Sequence, residues 1–183
     1  RALYHAGDID GLVNCAGIYP VTPILDLEAE EWDRVLSLNL RAPFLLARGF
    51  ARRLISQRRP GAIVNISSTA SVLARPGIAH YGASKAALNQ LTRVLAVELA
   101  PHGIRVNAVL PGVIGTETVT SSLSTPASQA EMAAKMQRVP LGRLGTPEEI
   151  AELTMFLLSA KSSYTTGGLF TADGGFSLGI ARY

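Results

Sequence analysis

Four short, nearly continuous apolar runs alternate with longer stretches of helical pattern, and this alternation limits the folds open to the chain. The runs are GLVNCA (11–16), AIVNIS (62–67), IRVNAV (104–109) and LFTADG (169–174). Continuous apolar runs are typical of strands in a parallel sheet, because such a sheet is covered on both faces. Helices are predicted between the runs, near 28–58, 80–100 and 147–160. This order predicts an α/β fold with a doubly wound parallel sheet.

Composition narrows the function classes. The 183 residues are 48% hydrophobic and 17% charged, which is the composition of one globular domain. A formal net charge of +3 with dispersed basic residues argues against nucleic acid or a membrane surface as partner. Cys15 is the only cysteine and the three histidines are scattered, so neither a disulfide framework nor a metal site is expected. The default compartment is the cytoplasm.

The polar features follow the predicted strands. NCAG follows the first strand, SST the second and PGVIGT the third. Ligands of open α/β sheets bind beyond the carboxyl ends of the strands, so a site is predicted at this edge. The polar, Ser/Thr-rich segment 113–140 resists assignment to a helix or strand and is expected to be a substrate-binding loop that closes over the ligand.

Tyr81 and Lys85 in YGASK stand four residues apart on a predicted helix, which places both side chains on one face. Alone, such a pair is common on solvated helix faces. A tyrosine pKa of about 10 makes the phenol a poor acid or base near neutral pH. An ammonium group one turn away would stabilise the phenolate by charge attraction, so the pair is a candidate acid/base.

Two further side chains are candidates for the same site. Ser68 stands thirteen residues before Tyr81 and could hold a carbonyl or alcohol oxygen, although Ser67 is equally available by composition. Pro43 lacks the N–H that would bond the carbonyl of Asn39. A kinked helix with a free Asn39 carbonyl is therefore predicted, and this carbonyl could hold an ordered water.

The chain resembles the short-chain dehydrogenase/reductase family over essentially its whole length. The motifs that carry the resemblance are NCAG (14–17), LNL (38–40), NISS (65–68), YGASK (81–85), VNAVLPG (106–112), PLGRLGTPEEIA (140–151) and ADGG (172–175). Each is weak alone, but together they occur in the family's order and spacing. The resemblance implies a single Rossmann-like domain over 1–183 and an NAD(P)-dependent oxidoreductase.

The resemblance also implies a catalytic tetrad. Tyr81 would be the general acid in carbonyl reduction and the base in alcohol oxidation. Ser68, rather than Ser67, would orient the substrate oxygen. Lys85 would lower the tyrosine pKa and bind the nicotinamide ribose, while Asn39 would hold the water that links Lys85 to solvent.

The cofactor implied by the resemblance is NAD or NADP. It would be bound by Tyr81 and Lys85 together with Asn14, Ala16 and Gly17 on the adenosine side and Pro111, Gly112, Ile114 and Thr116 around the nicotinamide and its phosphate. Glycine and proline suit such positions because the backbone must approach the ligand closely.

The sequence departs from the family at its start. No G-x-x-x-G-x-G turn precedes NCAG, and only 13 residues stand before that motif. The N-terminal β-α-β cofactor-binding segment is therefore expected to be missing from residues 1–183, and these residues alone are not expected to act as a dehydrogenase. Smaller departures are Cys15, where a second Asn is frequent, and Ser71, where Gly is common.

Three functions stay open. The first is a carbonyl reductase acting on a 3-oxoacyl thioester, as in the 3-oxoacyl-acyl carrier protein reductases. Arg59 and His102 fall where those enzymes carry basic side chains beside the active-site mouth. The second is a sugar, polyol or other secondary-alcohol dehydrogenase, and the third is a non-catalytic scaffold. Because family members are usually tetramers or dimers, a homo-oligomer is expected to pair through the helices at 28–58 and 80–100.

Overall fold

The computed structural model describes residues 8–121 and 123–179. The strands are β1 (Gly11–Asn14), β2 (Gly61–Ile66), β3 (Ile104–Pro111) and β4 (Leu169–Ala172). The α-helices are α1 (Ala29–Leu36), α2 (Ala42–Gln57), α3 (Ala79–Leu99), α4 (Glu117–Ser121), α5 (Pro126–Gln137) and α6 (Pro147–Leu158). Each of the four predicted strands is present, although the run at 169–174 extends two residues beyond β4.

The four strands form one parallel sheet in the order β1-β2-β3-β4. Val13 pairs with Val64, and Val64 pairs with Asn107 on the other side. Helices flank this parallel sheet, which confirms the predicted α/β class. Since parallel strands share one direction, the carboxyl ends of β1, β2 and β3 meet at a single edge.

Alternating residues of the central strands bury the two faces of the sheet. Ile63 and Val106 pack on one face with side chains of α2 and α3, including Phe50. Val64 and Val109 pack on the other face with Leu157 of α6. The apolar runs are continuous because both faces are covered, and the two helix layers fix the position of α3 beside the strand ends.

The predicted helical region at 28–58 is present, and a change of helix type lies near the predicted kink. A π-helical turn spans Ser37–Arg41, and the N–H of Ala42 donates to the carbonyl of Ser37 five residues back. Pro43 follows, and a proline has no N–H for the α-helical ladder. The π-helical turn contains Asn39, whose freed carbonyl stays a prediction.

The segment 113–140 is more regular than expected, since it contains α4 and α5. The hydroxyl of Thr125 caps α5 by accepting the N–H of Ser128 at 3.1 Å, and Pro126 occupies the first turn. Its sequence therefore forms capped short helices rather than an irregular loop. Over the described ranges 8–121 and 123–179, no helix has both the length and the apolar character needed to cross a membrane.

Candidate active site

The polar motifs lie at the carboxyl edge of the sheet, as the sequence predicted. Asn14 is the last residue of β1, Ser67 and Ser68 follow β2, and Pro111 ends β3. The N–H of Ser67 donates to the carbonyl of Val109 at 2.8 Å, so the ends of β2 and β3 remain joined at this point. Helix α3 packs against β3 and against the turn after β2.

The structure distinguishes the two serines that the sequence left open. Ser67 is buried, and its hydroxyl donates to the carbonyl of Lys85 at 3.2 Å. Ser68 is partly buried, its hydroxyl accepts the N–H of Ala70 at 3.1 Å, and it lies near enough to Tyr81 to lower the pKa of the phenol. Ser68 therefore faces the phenol, while Ser67 is held by the backbone of α3.

Tyr81 lies in a largely apolar environment. Its ring packs against Tyr19, with centroids 5.9 Å apart and planes tilted by 56°. Burial raises the pKa of Tyr81 above its usual value, and the nearby Ser68 side chain lowers it by a smaller effect. Tyr19 raises this pKa further and Arg75 lowers it, both through smaller charge effects. Burial therefore has the largest effect on the pKa of Tyr81, and the expected lowering of this pKa by Lys85 stays a prediction.

Lys85 is buried next to Tyr81. The side chain is 4% exposed, and its ammonium donates to the carbonyl of Ile66 at 2.8 Å. Its Nζ lies 5.8 Å from the centroid of the Tyr81 ring, over the ring rather than at the hydroxyl. Burial lowers the pKa of Lys85 to about 8, against a smaller opposing effect of Cys15. Loss of hydration thus has the largest effect on the pKa of Lys85.

Asn39 holds the segment after β1 against the start of α3. Its Oδ1 accepts the N–H of Ile18 at 2.9 Å, and its Nδ2 donates to the carbonyl of Ile18 at 2.8 Å and to Ser84 Oγ at 3.3 Å. The side chain is fully buried. Because these bonds occupy the amide, the expected water contact would fall to the backbone carbonyl of Asn39.

The predicted cofactor residues after β1 come close to the same side chains. A Cβ added to Gly17 would lie 3.2 Å from Asn39 Oδ1 and 3.6 Å from Lys85 Nζ. Ala16 is exposed beside it. Asn14 donates from Nδ2 to Asn65 Oδ1 at 2.7 Å, and its buried Oδ1 has no hydrogen-bond partner.

The predicted cofactor residues after β3 form a second group. The N–H of Gly112 donates to the carbonyl of Ala172 at 3.0 Å, and a Cβ on Gly112 would lie only 2.6 Å from the Cβ of Asp173. Ile114 forms an isolated parallel bridge with Gly145, and the exposed Thr116 directly precedes α4. This close packing requires glycine at 112 and joins the group to the end of β4.

Sequence reasoning missed a buried polar cluster beside Tyr81. His80 is fully buried, and its Nε2 lies 3.0 Å from Glu31 Oε1. The hydroxyl of Thr22 donates to the same carboxylate oxygen at 2.7 Å. The cluster ties α1 and the segment after β1 to the start of α3. The only signal was a histidine directly before the candidate tyrosine.

Arg59 and His102 do not lie beside the candidate site within this chain. Arg59 follows α2 and immediately precedes the region where β2 begins, and its guanidinium pairs with Asp8 at 2.9 Å. His102 directly precedes β3. Both therefore lie at the amino edge of the sheet, whereas Ser68 and Tyr81 lie at the carboxyl edge. The expectation that Arg59 and His102 lie beside the mouth of the site is therefore wrong within a single chain.

The part of the chain that the structure describes contains no obvious set of metal ligands. There, no three histidine, cysteine, aspartate or glutamate side chains come together in a group that could hold a metal ion. The polar groups at this edge are a phenol, a hydroxyl, an amide and a buried ammonium group.

Comparisons with known proteins agree with this geometry. The family model described as Enoyl-(Acyl carrier protein) reductase matches residues 1–177. L-xylulose reductase from Bos taurus is 42% identical over 176 residues, which are 96% of this chain and 71% of that protein. The 3-oxoacyl-[acyl-carrier-protein] reductase FabG from Thermotoga maritima is 42% identical over 175 residues, covering 96% and 69%.

A solved structure shows the same fold. A 4-hydroxyisoleucine dehydrogenase mutant complexed with NADH and succinate superposes with a TM-score of 0.88 at 38% identity, covering 93% of this chain and 69% of that one. The chain therefore belongs to the short-chain dehydrogenase/reductase family of NAD(P)-dependent oxidoreductases.

Proposed function

We propose that Tyr81 transfers the proton in an interconversion of a carbonyl and a secondary alcohol, with Ser68, Lys85 and Asn39 completing the catalytic set. The observation that carries this proposal is the placement of Ser68 beside Tyr81 at the carboxyl edge of the sheet, where Ser68 lowers the pKa of the phenol, one helical turn from a buried lysine. Family membership alone would not assign these roles, because function depends on the site rather than on the fold.

The two hydroxyl groups act on one substrate oxygen. In reduction, the Tyr81 hydroxyl donates its proton to that oxygen, and in oxidation the phenolate accepts it. The Ser68 oxygen already accepts the N–H of Ala70, so its hydrogen is free to donate to the substrate oxygen or to Tyr81. The bound nicotinamide supplies or receives the hydride.

Lys85 serves the cofactor and the proton path. With a pKa of about 8, the amine is mostly protonated at pH 7. One of its three N–H hydrogens is used by the Ile66 carbonyl, which leaves two for acceptors such as ribose hydroxyls. We assign the water contact next to Lys85 to the Asn39 carbonyl.

The residues on the cofactor side fit a dinucleotide. Gly17 and Gly112 lie where an added Cβ would fill space beside Lys85 and Asp173, and the buried Oδ1 of Asn14 is free to accept a hydrogen bond. The proposed NAD or NADP contacts are Asn14, Ala16, Gly17, Tyr81, Lys85, Pro111, Gly112, Ile114 and Thr116. In this proposal, residues 1–183 form one Rossmann-like domain without the N-terminal β-α-β segment.

Substitution of Tyr81 tests the proton role. In the full-length protein, Tyr81→Phe is expected to lower kcat by about 10²–10⁴-fold while the dinucleotide dissociation constant stays unchanged, since only the hydroxyl is lost. Tyr164→Phe is the matched control, because Tyr164 is fully exposed. Near-normal turnover by Tyr81→Phe would refute the assignment. A protein that binds neither NADH nor NADPH would favour the scaffold function.

Two substrate classes remain in the proposal. A 3-oxoacyl thioester is the first, supported by the similarity to FabG. A sugar or polyol is the second, favoured by the similarity to L-xylulose reductase and by the position of Arg59 and His102 away from the site. Segment 113–140 is assigned to substrate binding. Turnover of an acetoacetyl thioester, of a ketose and of a cyclic alcohol with each reduced dinucleotide distinguishes the classes.

A homo-oligomer in the cytoplasm completes the proposal. Helices α2 and α3 expose apolar side chains, including Phe44 at 38%, Leu46 at 41%, Val94 at 43% and Val97 at 77%. Pairing of these helices across a two-fold axis would cover them. Sedimentation equilibrium tests this directly: Val97→Asp is expected to shift a dimer or tetramer towards monomer, and an unchanged mass would exclude α3 from the interface.

A further inference from the structure

Helix α3 carries a buried amide on the same face as the proposed catalytic pair. Asn89 follows Tyr81 by eight residues and Lys85 by four, which keeps all three on one side of the helix. Asn89 is 5% exposed, and its Nδ2 donates to Ser71 Oγ at 2.9 Å. Its Oδ1 is buried without a partner.

Ser71 in turn forms hydrogen bonds with Ser68. The Ser71 hydroxyl donates to the Ser68 carbonyl at 2.6 Å, and the Ser71 N–H donates to the same carbonyl at 3.0 Å. A serine hydroxyl has one hydrogen, so this bond fixes Ser71 Oγ as the acceptor for Asn89. The direction of the amide is thereby determined as well: Nδ2 faces Ser71, and Oδ1 faces away from it.

The turn that contains Ser68 is pressed against α3. A Cβ on Gly82 would lie 3.2 Å from the carbonyl oxygen of Ala70, so glycine at 82 allows the close approach. Two bonds to the Ser68 carbonyl restrict rotation of the peptide that follows Ser68, and with it the direction in which the Ser68 hydroxyl points. The hydrogen bonds from Asn89 to Ser71 and from Ser71 to Ser68 therefore link α3, which carries Tyr81, to the serine opposite Tyr81.

We propose that Asn89 and Ser71 are positioning residues that hold the Ser68 hydroxyl against Tyr81. The inference rests on the proposed roles of Ser68 and Tyr81 and adds two residues that act through Ser68 without touching the substrate. It also assigns a role to Ser71, because a glycine at this position would have no hydroxyl to bond both Asn89 and Ser68.

The unpartnered Oδ1 of Asn89 reduces the stability of the fold, which supports a role for Asn89 other than stability. A buried polar atom without a partner destabilises the folded state. Asn89→Leu removes the unpaired Oδ1 at similar volume, and Ser71 keeps its own donor bond. The melting temperature of that variant is therefore expected to equal or exceed that of the parent, whereas a purely structural role for Asn89 predicts a lower one.

The test uses the full protein and the titration of Tyr81 as its readout. Tyrosine is labelled with ¹³C at Cζ, and the Tyr81 signal among the five tyrosines is identified by its loss in Tyr81→Phe. The titratable and charged groups around Tyr81 are Tyr19, Arg75 and Lys85, and none of them is altered in the variants. Asn89→Leu, Ser71→Ala, the double variant and Ser71→Thr are titrated beside the parent.

Loss of positioning should raise the Tyr81 pKa in Asn89→Leu and in Ser71→Ala, because Ser68 lowers this pKa in the parent. In turnover assays kcat should fall about tenfold, as expected for one hydrogen bond, with a smaller change in KM. The double variant should be no worse than the more affected single variant, since the residues act in series. Ser71→Thr retains the hydroxyl and should restore the parent titration.

An unchanged Tyr81 titration in folded Asn89→Leu and Ser71→Ala would overturn the proposal, as would additive effects in the double variant. If Asn89→Leu does not fold, Ser71→Ala reports the same contact. A shifted titration in a protein without dinucleotide-dependent turnover would support the positioning chain and refute the proposed function instead. The two failures are thus distinguishable.

Discussion

Replacing Lys85 by methionine is expected to remove a pH-dependent stability penalty from the fold. Burial lowers the pKa of Lys85 from 10.5 to about 8. The unfolded chain therefore binds more protons than the folded chain between about pH 8 and 10.5. The penalty is fully present below pH 8 and is lost as the pH rises through this window. At about 1.4 kcal/mol per pKa unit, it amounts to about 3 kcal/mol of unfolding free energy.

The net effect at neutral pH is smaller. Methionine has a similar length but cannot bond the Ile66 carbonyl, which Lys85 reaches at 2.8 Å. An unpaired buried carbonyl costs about 1–3 kcal/mol, so the gain at pH 7 is reduced to about 1 kcal/mol. The informative quantity is therefore the difference in unfolding free energy between parent and variant as a function of pH.

Urea unfolding at pH 7, 8.5 and 10.5 measures this difference, and groups common to both proteins cancel in it. The parent should gain about 3 kcal/mol relative to Lys85→Met between pH 7 and 10.5. Lys161→Met controls for the loss of a lysine, because Lys161 is exposed. A parent-minus-variant difference that stays constant with pH would refute the assignment of a buried, destabilised ammonium group.

Three further perturbations follow from the geometry. Gly112→Ala places a Cβ 2.6 Å from that of Asp173. It should lower the unfolding free energy by about 1–3 kcal/mol, measured by urea unfolding, and weaken dinucleotide binding, measured by fluorescence titration. Gly77→Ala meets a positive φ of 78° and Val21 at 2.8 Å, so a loss of about 1–2 kcal/mol is expected in the same unfolding assay. Exchange of segment 113–140 with that of a relative of different specificity should change the ratio of kcat/KM between two substrates, and an unchanged ratio would place specificity elsewhere.

The strands and the edge that carries the site could be predicted from the sequence. A strand covered on both faces must be apolar at successive positions, and Ile63 and Val64 face opposite helix layers in the structure. The polar residues that interrupt such runs stand at strand ends, which explains why Asn14 and Ser68 were identified. These inferences depend on local pattern and on the common direction of parallel strands.

The rest depended on three-dimensional context that a pattern does not contain. Spacing placed Tyr81 and Lys85 on one helix face, but only the tertiary contacts show the ammonium at the Ile66 carbonyl and the pKa of Tyr81 raised by burial. The π-helical turn at Ser37–Arg41 arises from a local hydrogen-bond shift, which periodicity alone does not reveal.

The candidate site concentrates features that reduce stability. Lys85 is a buried ammonium group, and Asn14, His80 and Asn89 each carry a buried polar atom without a partner. Each costs free energy that a well-packed apolar side chain would avoid, and three of the four lie on α3. Proteins tolerate such costs where activity depends on the groups concerned. Some substitutions that stabilise α3 at these positions should therefore leave turnover intact, and others should lower it. The substitutions that lower turnover identify the residues on which the site depends.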